Sequence, residues 1–211
     1  MTQDGLVGRA TVQPAAPATF PDSSPSNGGV DEEALSRALV AGDGQAFRVL
    51  VERETTRVFR TCYRVLGRVP EAEDATQETF VLAYRALGTY RGDGHPAAWL
   101  TRIATRVAWR RAADGSRRRS MTAPLDASAE WLVSDTPGPA AVAIASDERE
   151  QVRLAVAGLP QPYREVITLR FFADLSLFEI CAATGRPEGT VKAQLHRGLK
   201  RLRTILAGEA R

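Results

Sequence analysis

The sequence predicts an all-α fold in two small helical domains joined by a flexible linker. Three observations carry this expectation. From Asp31 onward, apolar residues recur at spacings of three and four, and no run alternates as a half-buried strand would. At 211 residues, the chain suits one or two small domains rather than one large core. The periodicity fails between about Gly115 and Pro139, where Pro124, Pro137, Gly138 and Pro139 fall. The expected organisation is a disordered tail over 1–30, a helical domain over 31–115, a linker over 116–139 and a second helical domain over 140–211.

Each element has its own signal. Residues 1–30 are rich in Ala, Pro, Ser, Gly and Thr, without period. Ala34, Leu35, Ala38 and Leu39 form a short apolar stripe that Gly42-Asp43-Gly44 ends. Phe47, Leu50, Val51, Val58, Cys62, Val65 and Leu66 continue at helical spacing, and Cys62 lies on that stripe as a packing residue. Gly67 and Pro70 close this helix and open a third, over about 70–87. On its wheel, Ala75, Thr79, Phe80, Ala83, Ala86 and Leu87 share one face; Asp74, Gln77, Glu78, Val81 and Arg85 share the other. A Gly-rich loop, Tyr90 to Pro96, precedes a fourth helix over about 97–113. There Leu100, Ile103 and Val107 point inward, while Arg102, Arg106, Trp109 and Arg110 gather on another face.

Beyond the linker, helical spacing returns over about 140–157 and breaks at Gly158-Leu159-Pro160. Pro162 opens a helix through Val166, Ile167, Leu169 and Phe172. Ser176-Leu177-Phe178-Glu179 is a capping box that opens a short helix to about Thr184. Gly185-Arg186-Pro187 makes a turn into a last helix over about 188–206. Its inward positions are Val191, Leu195, Leu199, Leu202 and Leu206. Lys192, His196, Arg197, Lys200 and Arg203 lie on or beside the opposite face. A short capped helix, a Gly turn and a longer helix with a basic outer face form a helix-turn-helix.

Composition excludes several classes. Apolar residues make up 44%, enough for a core, and 7% aromatic content points to aliphatic packing. No apolar run approaches the ~18 residues of a membrane span, so no membrane insertion is expected. No secretory signal is expected either, because the N-terminus carries Asp4 and Arg9 and lacks an apolar region. Cys62 and Cys181 lie far apart at no metal-ligand spacing, which argues against a disulfide scaffold or zinc finger. A reducing, cytoplasmic setting follows. Phosphate-binding Lys loops, dinucleotide fingerprints and hydrolase motifs are missing from the sequence, so no catalytic residue, metal or cofactor is expected. The cluster Glu71, Glu73, Asp74 and Glu78 fits an exposed acidic first turn, stabilised by the helix dipole, better than a cation site.

The charge is placed unevenly. Arg102 to Arg119 holds seven Arg against Asp114 alone, and Arg186 to Arg211 holds seven bases against Glu188 and Glu209, while the whole chain is only +3. Two basic blocks in one otherwise acidic chain suggest two contacts with one polyanion. Lys and Arg neutralise phosphates and release counterions, which supplies affinity for DNA. Side chains at a recognition-helix N-terminus reach base edges in the major groove.

Four stretches carry a resemblance: Glu73-Asp-Ala-Thr-Gln-Glu-Thr-Phe80; Tyr90-Arg-Gly-Asp93 leading to Ala98-Trp-Leu-Thr-Arg-Ile-Ala104; Leu159-Pro160 through Arg164-Glu-Val-Ile-Thr-Leu-Arg170; and Gly189-Thr-Val-Lys192 through Leu195-His-Arg197 to Lys200-Arg-Leu-Arg203. In order and spacing, over residues ~31–206, the chain resembles the extracytoplasmic-function (ECF) group of the bacterial sigma-70 family of RNA polymerase sigma factors. The resemblance implies that residues 31–115 are region two, which docks on the polymerase clamp helices and captures the −10 promoter element. Residues 140–211 would be region four, which binds the polymerase flap and reads the −35 element. It places Asp74, Gln77, Glu78 and Arg85 against the clamp. It places Arg91, with Asp93 and His95 of the Gly92–Pro96 loop that cradles a flipped base in relatives, together with Arg102, Arg106, Trp109 and Arg110 at the −10 DNA. Arg186, Glu188, Gly189, Thr190, Lys192, Gln194, His196, Arg197, Lys200 and Arg203 would meet the −35 DNA. An anti-sigma factor is the further partner implied.

The chain departs from the family pattern at several of these positions. Pro96 replaces a frequent aromatic residue, and Arg106 and Arg110 stand where Asn and Asp are often found. Arg186 follows the turn Gly where an apolar residue is usual, Cys181 replaces a small Ala, and Gln194 stands where Arg is common. Trp99 reads as core, and His196 as a surface residue or a phosphate contact. Two other readings compete. An ordinary helix-turn-helix regulator, acting without polymerase, leaves the 73–80 helix and the first basic block unexplained. A helical enzyme or scaffold built on the acidic cluster calls for metal-dependent stabilisation.

Overall fold

A computed structural model of the chain describes residues 29–121 and 139–209, with side chains over 32–115 and 147–208. The tail expected over 1–30 lies outside these residues except for Gly29 and Val30, and most of the expected linker lies outside them too. Among the described residues, every regular element is helical.

Helix α1 spans Gly29–Val40, α2 Gly44–Leu66, α3 Val69–Arg85 and α4 Pro96–Met121, with a 3₁₀ turn at Leu87–Thr89. Asp43 caps α2 by accepting from the Gln45 amide at 2.8 Å, and Pro70 sits in the first turn of α3, where its missing N–H would have no partner anyway. Helices α2, α3 and α4 pack on one another around Leu39, Phe47, Leu50, Val58, Cys62, Ala75, Ala83, Leu100 and Val107. Each fully buried Leu or Val contributes roughly 1.5–3 kcal/mol over its exposed state. Thr61, Thr76 and Thr79 lie in this core without penalty because each hydroxyl donates to the carbonyl four residues back. Trp99 packs against the same core, with its ring 5.3 Å from that of Tyr90, as expected.

The second half comprises α5 (Pro139–Ala157), α6 (Gln161–Ile167), a π-helical turn (Thr168–Phe172), α7 (Leu177–Thr184) and α8 (Glu188–Glu209). Val166, Leu169, Leu175, Ile180 and Val191 form one apolar cluster, and Val156, Leu159 and Ile167 a second. The capping box is present. The Glu179 amide donates to Ser176 Oγ at 3.2 Å, and Glu179 Oε2 accepts from the Ser176 amide at 2.8 Å. Gly185 ends α7 at φ 69°, the left-handed turn its sequence position calls for.

Two local expectations change. Helix α4 runs to Met121, so residues 116–121 of the expected linker are helical. The inward stripe of α8 passes through Gly198, not Leu199, which is 40% exposed. A Cβ at Gly198 would lie 3.1 Å from Ile167, so the absent side chain lets α8 press on α6.

The two halves touch. Ala98 of α4 is buried within the second half's apolar cluster, and Trp109 packs against both cores. Arg64 of α2 donates to the Phe172 carbonyl at 2.8 Å and pairs with Asp174.

Candidate nucleic-acid and polymerase interface

Four groups of residues singled out by sequence come into view. On α3, Asp74, Gln77 and Arg85 are exposed, and Glu78 is half-buried. Arg111 Nε donates to Glu78 Oε2 at 2.6 Å and its Nη1 to Asp74 Oδ2 at 3.3 Å, while Arg110 also pairs with Glu78. Hydrogen bonding to Glu78 holds the Arg111 pKa above its ordinary value. Part of the acidic edge of α3 is thus already balanced by α4. Val81 and Tyr84, 51% and 59% exposed, add an apolar element to this face. Tyr84 escaped the sequence reading although it lies one turn beyond Phe80.

The loop before α4 is braced rather than loose. Tyr90 Oη donates to the Gly94 carbonyl at 2.7 Å and lies 2.8 Å from Ser36 Oγ; His95 Nδ1 is 2.7 Å from Glu32 Oε1. Arg91 and Asp93 are exposed. Gly94, at φ 119°, abuts α7 so closely that a Cβ there would sit 2.5 Å from that of Ala182.

The α4 face divides. Arg110 turns toward α3, whereas Arg102, Arg106 and Trp109 face the second half. Arg102 Nε donates to Glu165 Oε1 at 3.0 Å, Arg106 Nη2 reaches the same oxygen at 3.4 Å, and Arg102 Nη1 donates to the Ala183 carbonyl at 2.7 Å. Trp109 Nε1 donates to Thr168 Oγ1 at 2.9 Å, its ring lies beside Phe172, and the Arg164 guanidinium sits over it.

In the helix-turn-helix, Arg186 Nη2 donates to Glu165 Oε2 at 2.5 Å and Nη1 to Gln194 Oε1 at 3.2 Å. Arg186 and Gln194, two positions where the chain departs from the resembled pattern, are therefore bonded to each other. Glu188, Gly189, Thr190, Lys192, His196, Arg197, Lys200 and Arg203 are exposed, and Lys192 pairs with Glu188 at 2.5 Å. Arg201, which the sequence reading left out, stacks over Tyr163 at 5.1 Å beside Arg197 and Lys200. A second omission is Glu165. Its side chain is 3% exposed and gathers three guanidiniums. Burial opposes its ionisation, but Arg102 and Arg186 outweigh burial and hold its carboxyl below the usual carboxylate value. A lone acid beside Val166 and in register with Leu169 was the available signal.

Burial pushes the Cys62 thiol up to about 11, which suits packing and not nucleophilic attack. Among the described residues, no cluster of His, Cys, Asp or Glu could hold a metal ion, and no helix is long and apolar enough to cross a membrane.

Comparison with known proteins accounts for both halves. A family model for sigma-70 region 2 matches residues 50–118, and one for sigma-70 region 4 matches residues 149–202. The chain is 33% identical over 174 residues to the ECF RNA polymerase sigma factor SigW of Bacillus subtilis, covering 78% of this chain and 91% of that one. It is 30% identical over 171 residues to the RNA polymerase sigma-H factor of Pseudomonas aeruginosa, covering 79% and 89%. Among solved structures, CnrH in complex with the cytosolic domain of CnrY shares the fold, with a TM-score of 0.53 at 21% identity, covering 84% of this chain and 97% of that one. The chain belongs to the sigma-70 family, in its ECF group, and is an RNA polymerase-binding, promoter-specific transcription initiation factor.

Proposed function

We propose that this sigma factor divides promoter recognition between its halves, with 31–115 as region two and 140–211 as region four. In this reading Asp74, Gln77, Glu78 and Arg85 dock on the polymerase clamp helices, and region four engages the flap. Arg91, Asp93, His95, Arg102, Arg106, Trp109 and Arg110 serve the −10 element. Arg186, Glu188, Gly189, Thr190, Lys192, Gln194, His196, Arg197, Lys200 and Arg203 serve the −35 element. The protein works in the cytoplasm and carries no catalytic activity of its own. An anti-sigma factor is its further partner; CnrH was solved with the cytosolic domain of CnrY.

The observation that carries this reading is the exposed basic stripe of α8 behind a fully formed capping box and turn. Such a face neutralises phosphates along a groove while the helix N-terminus reaches base edges. Within the stripe, Lys192, Arg197, Lys200 and Arg203 act mainly through phosphates. Arg186 acts indirectly, by fixing the turn through Glu165 and Gln194.

The docking assignment is tested at Gln77 and Arg85, because Glu78 and Asp74 also anchor Arg110 and Arg111. The double variant Gln77→Ala/Arg85→Glu should bind core polymerase roughly tenfold or more weakly, with unchanged helicity, since a reversed charge at a docking face repels its partner. Wild-type co-purification with core polymerase would sink the assignment.

A further inference from the structure

We propose that Glu165 is an internal stand-in for a DNA phosphate. In the free chain it draws Arg102 and Arg106 of α4 and Arg186 of the helix-turn-helix onto one carboxylate, closes the two halves on each other, and hides the −10-binding face until they part. The inference rests on the assignment of Arg102, Arg106 and Trp109 to the −10 element.

Among the described residues, Glu165 is the one charged side chain that is buried. A carboxylate accepting from several guanidiniums satisfies them much as a phosphate does, through short charge-assisted hydrogen bonds. The remaining parts of the same face are spent in the same way. Arg102 uses its second nitrogen on the Ala183 carbonyl, and Trp109 uses its indole N–H on Thr168. The Arg164 guanidinium lies over the Trp109 ring and Phe172 lies beside it, so a face on which a base would stack is already engaged. The loop carrying Gly94 is pressed against Ala182 of α7. Of the α4 residues assigned to the −10 element, only Arg110 faces elsewhere.

The closure is suited to being reversed. Arg102 and Arg106 keep 24% and 56% of their side-chain surface in solvent, so a polyanion can approach them before the pairs break. Ion pairs taken out of water gain little net free energy, because desolvation offsets most of the attraction. Polymerase docking, which favours separated halves if each meets its own element, would then shift the balance. Arg64, bonded to Asp174 and to the Phe172 carbonyl, is a second latch outside the DNA-binding sets.

The test uses the full chain and two variants that break the closure by different means. Glu165→Gln removes the charge that gathers the three arginines. Ala182→Leu drives a wedge against Gly94 and touches none of the residues assigned to DNA. Particle size is measured by small-angle scattering, and binding of a single-stranded −10 oligonucleotide is measured without polymerase. Both variants should expand and bind the oligonucleotide about tenfold more tightly, as expected if the wild type is open about a tenth of the time. Run-off transcription by the reconstituted Ala182→Leu holoenzyme should stay at the wild-type level. A wild type as expanded as the variants, or variants that expand without gaining affinity, would overturn the proposal. The −10 assignment is judged separately: if Arg102→Ala/Arg106→Ala holoenzyme opened promoters normally, that assignment would fall, while the scattering result would still report on closure.

Discussion

On α4, Arg102 and Arg106 reach a carboxylate that is almost wholly buried, whereas on α8 Lys192, Arg197, Lys200 and Arg203 stand in solvent. The residue types are alike and both blocks are dense in the sequence. What separates them is the acid each meets. Glu165 is held in place by the packing of Val166 and Leu169, so the arginines that reach it are fixed. Glu188, which meets Lys192, is exposed like its partner and fixes nothing beyond one turn of helix. A basic block is thus a structural element or a free binding surface according to the burial of its counter-ion.

The largest expected effect comes from breaking the buried side of this comparison. Arg102→Ala/Arg106→Ala leaves Glu165 with Arg186 alone. It should lower the stability of the free chain by about 1 kcal/mol, the most that can be lost when the chain is already open about a tenth of the time and can relieve the unpaired charge by opening. Thermal unfolding followed by circular dichroism reads this directly, and an unchanged midpoint would show that the carboxylate is hydrated without its arginines.

Breaking the exposed side should leave stability alone and change DNA binding. Alanine at Lys192, Arg197, Lys200 and Arg203 together should reduce the slope of log affinity against log salt by about 3–4 for duplex −35 DNA, roughly one unit for each phosphate left without its cation. A slope within about one unit of the wild type would mean that these bases do not meet phosphates.

The smallest effect sharpens the comparison by pH. The Glu165 carboxyl lies below its ordinary value of 4.5 in the folded chain. Its contribution is therefore full above that value and lost as the pH falls through the lowered folded value. The stability gap between wild type and Glu165→Gln should hold steady from about pH 7 to 5 and close in more acid solution. A gap that closes already near neutrality would place the Glu165 pKa on the other side of 4.5.

The helices and their ends were legible because each carried a local cause: Asp43 and Ser176 as caps, Gly185 as a left-handed stop, a three-four apolar spacing between them. Leu199 misled because hydropathy favours a leucine over its neighbour Gly198, while close approach to Ile167 and Tyr163 favours the residue with no side chain. The π-helical turn at Thr168–Phe172 left no periodic trace, being one turn long, yet it sets the carbonyl that Arg64 uses. The basic faces were legible as composition. Their division was not, because it depends on Glu165, some 60 residues from its α4 partners, whose register with Leu169 signals burial but does not say which cations reach it from another helix.

Helix α4 is a wall common to two cores, with Leu100 and Val107 on one side and Ala98 on the other. Melting the second half of the closed chain therefore uncovers part of the first, and the two halves are coupled in unfolding only to the extent that the closure holds. Once the halves separate, each must stand on its own smaller core. The form of the protein competent for DNA is then also the form most open to proteolysis, so the lifetime of the free factor in a cell falls as its readiness to bind a promoter rises.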